Sequence, residues 1–538
     1  MKKIQFISLF LLSTCALQAQ KFTEQDTLRG SITPERAWWN LNYYHLDIEV
    51  NPDEKYISGT NTIRYKVLEK KNKVLQIDLQ EPLKIERVTQ NGKTLEVNSN
   101  GNAHFITLKK KQKKGRFYEL VVHYSGKPKE AVRAPWDGGF SWKKDENGKH
   151  FVATSCQGLG ASVWWPNKDH MYDEVDSMAI SVKVPKDMMG VANGRLRKMD
   201  ADTNTYHWFV TNPINNYGVN VNIGDYVHFG EKFEGEKGLL DMDYYVLRDN
   251  LKKAKEQFKQ APMMMEAFEH WFGPYPFYED SFKIVEVPYL GMEHQSSITY
   301  GNKYQQGYLG SDLSGTGWGL KFDFIIIHEA GHEWFANNIT YKDIADMWVH
   351  EGFTSYSENL YLDYHFGTKA AEDYVIGLRQ NIQNDKPIIG VYDVNQRGSG
   401  DMYYKGSNML HTIRQLIDDD EKWRQILRGL NKYFYHQTVT TKQIEDYLSE
   451  KSGIDLSKVF DQYLRTTNIP VFEYKINDSR LEYRYNNVVK GFEMPLKIRA
   501  DGNELLLKPK SVWQNYPLEN ETIKKIEVDR NFYVHIKK

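Results

Sequence analysis

The spacing of apolar residues changes period twice along this chain, and that change most restricts its fold. From about Tyr43 to Gly230 apolar and polar residues alternate, as in His45-Leu46-Asp47-Ile48-Glu49-Val50, Thr62-Ile63-Arg64-Tyr65-Lys66-Val67 and Phe105-Ile106-Thr107-Leu108. A strand sends successive side chains to opposite faces, so alternation predicts half-buried strands. Asn91-Gly92 and Asn100-Gly101 supply turn signals before the last of these runs. Helical spacing begins near Leu247 and dominates to about Leu464, most clearly over Phe324 to Asn337 and Asn408 to Asp418. Thr440 with Gln443 forms a capping-box pattern that opens a helix through Tyr447 and Leu448. Pro470 closes this region, and alternation returns in Leu481-Glu482-Tyr483-Arg484-Tyr485 and Ile526-Glu527-Val528.

Segregated strands and helices predict a multidomain α+β protein. The expected parts are an N-terminal antiparallel β domain over residues 20–245, a mainly helical domain over 246–467 and a small C-terminal β-sandwich over 468–538. At 538 residues the chain exceeds what one core usually serves. A full immunoglobulin-like sandwich takes about 100 residues, so the tail can form only a reduced one.

Met1-Lys2-Lys3, the apolar run Ile4 to Leu12 and the small-residue exit at Ala19 predict a signal peptide over residues 1–19. The expected location is therefore exported, periplasmic or extracellular. Leu12-Ser13-Thr14-Cys15 also resembles a lipoprotein cleavage box, so a lipid anchor at Cys15 is the alternative. No later segment has the length and apolarity of a transmembrane helix. Lys+Arg number 70 against 71 Asp+Glu, so no global basic field exists and nucleic acid is not an expected partner. Two cysteines exclude a disulfide framework, and Cys156 is expected to be a small buried residue. Lys109-Lys110-Lys111-Gln112-Lys113-Lys114 suits a solvated hairpin turn.

The chemistry lies between Leu290 and Gly406. In His328-Glu329-Ala330-Gly331-His332 the two imidazoles stand four apart, on one helix face, where both reach one ion and Glu329 projects beside it. Glu351 follows His332 by 19 positions, in Trp348-Val349-His350-Glu351-Gly352-Phe353. Two imidazoles, one carboxylate and a water make a tetrahedral Zn2+ site with an open position. Such a zinc acidifies its water and polarises a carbonyl, and Glu329 is placed to move the proton to a leaving amine. These residues support metal-assisted amide hydrolysis. They leave open an aminopeptidase, a thermolysin-type zinc endopeptidase and a non-catalytic scaffold of the same fold.

With His332-Glu333-Trp334-Phe335 as context, the spacing of His328, Glu329, His332 and Glu351 resembles the M1 zinc aminopeptidases, a gluzincin family. Leu290-Gly291-Met292-Glu293-His294 resembles that family's Gly-x-Met-Glu-Asn motif, departing from it at Leu290 and His294. Tyr403-Tyr404-Lys405-Gly406 matches its Tyr-x-Lys-Gly. The resemblance implies a thermolysin-like catalytic domain, with Glu293 binding the substrate α-amine and Tyr403 donating to the oxyanion. It further implies that Gln157 helps hold the amine, and that backbone groups of Gly291 and Met292 pair with an extended substrate. Trp165-Pro166-Asn167-Lys168-Asp169, Asn212-Pro213-Ile214-Asn215 and Phe272-Gly273-Pro274-Tyr275-Pro276 resemble further family landmarks. The implied partners are peptides with a free N-terminus. Epoxide hydrolysis belongs to the leukotriene-hydrolase branch and has no separate support in these residues.

Overall fold

The computed structural model describes residues 22–69, 72–477, 480–517 and 525–538. The expected leader and Cys15 lie outside the described residues. Trp39–Asn51 and Tyr56–Val67 form a long antiparallel pair at the centre of an eight-stranded sheet. Leu46, Ile48 and Val50 are buried while Asp47 and Glu49 face out, as the alternation requires. One pairing departs from the antiparallel expectation: Trp39–Asn51 runs parallel to Ser177–Lys183. Parallel neighbours need a long crossover, and the strands between these two supply it. Smaller sheets of four and three strands complete the domain, around a core that includes Trp38, Trp39, Trp164 and Trp165. Cys156 is buried in that core. Among Lys109–Lys114 the lysines are exposed and only Gln112 is buried.

A five-stranded sheet joins this domain to the helices. Its order is Tyr226–Gly235, Gly238–Leu247, Phe282–Glu286, Ile298–Tyr300 and, at the edge, Gly291–Met292. Met242, Tyr244 and Ile284 face the helical core, whereas Tyr245, Leu247 and Val285 face the β-domain core. Because the side-chain period is two, one sheet serves as the wall between two cores. Its edge segment, ending at Glu293, therefore emerges between the domains.

Three helices carry the remaining chemistry: Phe324–Gly331, Trp348–Phe366 and Tyr404–Ile417. The stretch expected to stay helical to Asn337 instead breaks after Gly331. Residues 333–338 form a π-type turn, with Phe335 at φ −127° and ψ 73°. The capping box at Thr440 and Gln443 is present and opens Thr441–Ser452. The tail folds as sheets of four and three strands, and its Phe472, Tyr485 and Phe532 share the helical core. No helix among the described residues is long and apolar enough to cross a membrane.

Candidate active site and metal centre

Asp323 starts the helix that holds both histidines. Its Oδ1 accepts from the backbone N–H of Ile325 and Ile326, and its Oδ2 from the Tyr300 hydroxyl at 2.7 Å. The N-terminal cap thus also ties the helix to the wall sheet. At the other end Gly331 allows close contact with Trp348–Phe366, since a Cβ there would lie 2.5 Å from Ser357 Oγ.

The turn of backbone at Phe335 frees its carbonyl, which faces His332 Nδ1 at 3.1 Å, beside Thr354 Oγ1 at 3.0 Å. His328 Nδ1 meets Glu358 Oε1 at 2.7 Å, and Glu358 Oε2 accepts from Tyr374 at 2.5 Å. With both Nδ1 atoms engaged as donors, both Nε2 lone pairs are left free. They converge on Glu351 Oε2, at 3.6 Å from His328 and 3.3 Å from His332. That oxygen is buried and has no hydrogen-bond partner.

Donor atoms of His328, His332 and Glu351 lie within 4.8 Å of one another. Two neutral imidazole nitrogens and an unpartnered carboxylate oxygen fit a zinc ion in kind and number. All three residues are almost wholly buried. Glu358, Thr354 and Tyr374 were not singled out in the sequence. Glu358 and Thr354 lie seven and three positions after Glu351, close to one helix face, and that spacing is the signal that could have found them.

Glu329 and Glu293 join His332 in a second group of donors, also within 4.8 Å. Glu329 is 8% exposed and is pushed up to about 8 by burial and by Glu293 and Glu351, against the pull of the two imidazoles. Glu293 is likewise raised by burial, with Glu351 adding to it. Gln157 Nε2 donates to Glu293 Oε1 at 2.5 Å and to Glu351 Oε1 at 3.2 Å. One amide from the β domain thus spans a carboxylate beside the sheet's edge and one on the helix Trp348–Phe366.

Tyr403 stacks on the His328 ring, with centroids 6.1 Å apart, and feels the charge of Glu351. Burial drives its pKa well above 10. Tyr404 instead lies toward Glu358 and Tyr308. Gly291 and Met292 pair with Tyr300 and Thr299 on one side only, as the sheet's edge. His294 is fully buried, with Nδ1 3.3 Å from Thr299 Oγ1. All nine residues expected at the site are therefore brought to one place.

A buried set of two histidines and one carboxylate that fits zinc, placed between a β domain and a helical domain, is the arrangement of the zinc metallopeptidase class. The pattern of the Peptidase family M1 domain matches residues 256–463, and that of the Peptidase M1 N-terminal domain matches residues 40–217. The chain belongs to peptidase family M1. Aminopeptidase N of Lactobacillus helveticus is 25% identical over 462 residues, covering 80% of this chain and 51% of that protein. "Probable aminopeptidase 2" of Sulfurisphaera tokodaii is 22% identical over 413 residues, covering 72% and 50%. The chain thus spans about half the length of these curated relatives. An M1 zinc metallopeptidase mutant from Deinococcus radiodurans, solved with a Tyr-Ser-Ala substrate, has the same fold, with a TM-score of 0.70 at 18% identity. The match covers 82% of this chain and 98% of that one.

Proposed function

We propose that the chain is an aminopeptidase that hydrolyses the N-terminal peptide bond of peptides. The observation that carries this reading is the charge of the site. Glu293 is a buried carboxylate outside the candidate ligand set, grouped within 4.8 Å with donor atoms of Glu329 and His332. Uncompensated buried charge is costly, and a substrate α-ammonium is a charge that would pair with the Glu293 carboxylate. Zinc held by His328, His332 and Glu351 supplies a Lewis acid for a water and for the scissile carbonyl.

The chain's own residues do the rest. Glu329, outside the ligand set, takes the proton from the attacking water and passes it to the leaving amine. Tyr403 keeps its hydroxyl proton at neutral pH and donates it as a hydrogen bond to the developing oxyanion. Glu293 and Gln157 hold the α-ammonium, which fixes the cleaved bond as the first. The unpaired side of Gly291–Met292 can take the substrate backbone as an added strand.

The leader pattern at residues 1–19 supports export, which N-terminal sequencing of the secreted protein would test. Activity is tested with a panel of aminoacyl fluorogenic substrates, run with and without chelator, beside matched N-acetylated peptides. Chelator-sensitive cleavage of free-amine substrates alone is expected. Equal cleavage of acetylated peptides would replace this reading with an endopeptidase.

A further inference from the structure

Behind Glu293 stand two buried polar residues to which the mechanism gives no role, Tyr217 of the β domain and His350 of the zinc helix. The directions of their hydrogen bonds follow from one backbone group. The Tyr341 backbone N–H donates to His350 Nε2 at 2.8 Å. An imidazole nitrogen that accepts carries no proton, so the His350 proton sits on Nδ1. Nδ1 lies 3.4 Å from the Tyr217 hydroxyl and donates to it. The phenol's own proton is then free for the Glu293 carboxylate, whose charge acts on Tyr217.

Every member is fixed in place. Tyr341 stacks on His350 with ring centroids 4.1 Å apart, and the Tyr217 carbonyl accepts from Cys156 Sγ at 3.3 Å. His350 is fully buried, and Tyr217 and Glu293 are each 3% exposed. Water does not compete for these bonds, and each polar atom has strong need of its partner. Glu293 thus accepts from Gln157 of the β domain, with Tyr217 of the same domain beside it.

We propose that Tyr217 and His350 form a positioning pair that fixes the Glu293 carboxylate to receive the substrate's α-ammonium. The pair touches neither substrate nor the reacting atoms, and its effect passes wholly through Glu293. The inference rests on the reading of Glu293 as the amine-binding group.

The test uses the zinc-loaded full chain with Tyr217→Phe, His350→Leu and the double variant. Tyr217→Phe is expected to raise KM for free-amine substrates about tenfold, the usual order for one hydrogen bond to a charged group. Its kcat and zinc content should hold. The double variant should be no worse than the worse single one, because both break one chain of bonds. An unchanged KM in Tyr217→Phe, or a fall in kcat at constant KM, overturns the proposal. If His350→Leu fails to fold, Tyr217→Phe alone decides. Glu293→Gln separates the two levels: if it leaves KM unchanged, the amine-binding reading has failed. If it raises KM while Tyr217→Phe does not, only the positioning pair has failed.

Discussion

Glu358 Oε1 lies 2.7 Å from His328 Nδ1, so one helix orients the imidazole that another helix carries. Removing the charge of such a partner weakens the imidazole as a metal donor. Glu358→Gln should lower zinc affinity about 10- to 100-fold, while the apo protein keeps its fold. Competition with a calibrated chelator measures this, and unaltered affinity would show that Glu358 does not tune the centre.

Gly331 and Ser357 set how closely the two zinc helices approach. Gly331→Ala would place a Cβ 2.5 Å from Ser357 Oγ, and overpacking of this kind costs about 1–3 kcal/mol. Thermal unfolding should record that loss. Adding Ser357→Ala removes the clashing oxygen and should recover part of it. If the second substitution recovers nothing, the clash lies elsewhere.

Glu329 and Tyr403 act on different steps but neither is needed to hold zinc. Glu329→Gln should abolish most turnover at full zinc content, because an amide cannot accept the water's proton. Tyr403→Phe should lower kcat about 10²- to 10³-fold, the range for a lost oxyanion donor, with little change in KM. Steady-state kinetics on one aminoacyl substrate tests both, and wild-type kcat in either variant would remove that residue from the mechanism.

Glu174 faces Thr340 across the domain boundary, and its buried Oε1 has no hydrogen-bond partner. Burial pushes its carboxyl up from 4.5 to about 8, with Asp173 adding to the shift. The folded state therefore binds this proton more tightly than the unfolded chain. The resulting stability is complete below pH 4.5 and is lost as pH rises through 8, at up to about 1.4 kcal/mol per pH unit. Glu174→Gln should flatten that part of the profile relative to wild type. Parallel denaturation profiles for the two proteins between pH 5 and 8 would contradict the shift.

The sequence by itself determined whatever depends on local geometry. His328 and His332 share a face because four residues nearly complete a helical turn, and Leu46, Ile48 and Val50 share one because strands alternate. Family M1 was legible for the same reason, since its motifs are short and contiguous. Tertiary structure decided the contacts that join distant segments. Gln157 reaches Glu293 across 136 positions, and Tyr217 reaches His350 across 133. Neither pairing leaves a local period to read, because only the docking of the β domain on the zinc helices creates it. The break after Gly331 was equally hidden. Residues 324–337 look helical throughout, yet the backbone leaves helical geometry at Phe335, whose carbonyl faces His332 Nδ1 and accepts from Thr354 of the neighbouring helix. Local periodicity thus placed the zinc-binding side chains, and the packing of two domains around one sheet surrounded them with the groups that orient them.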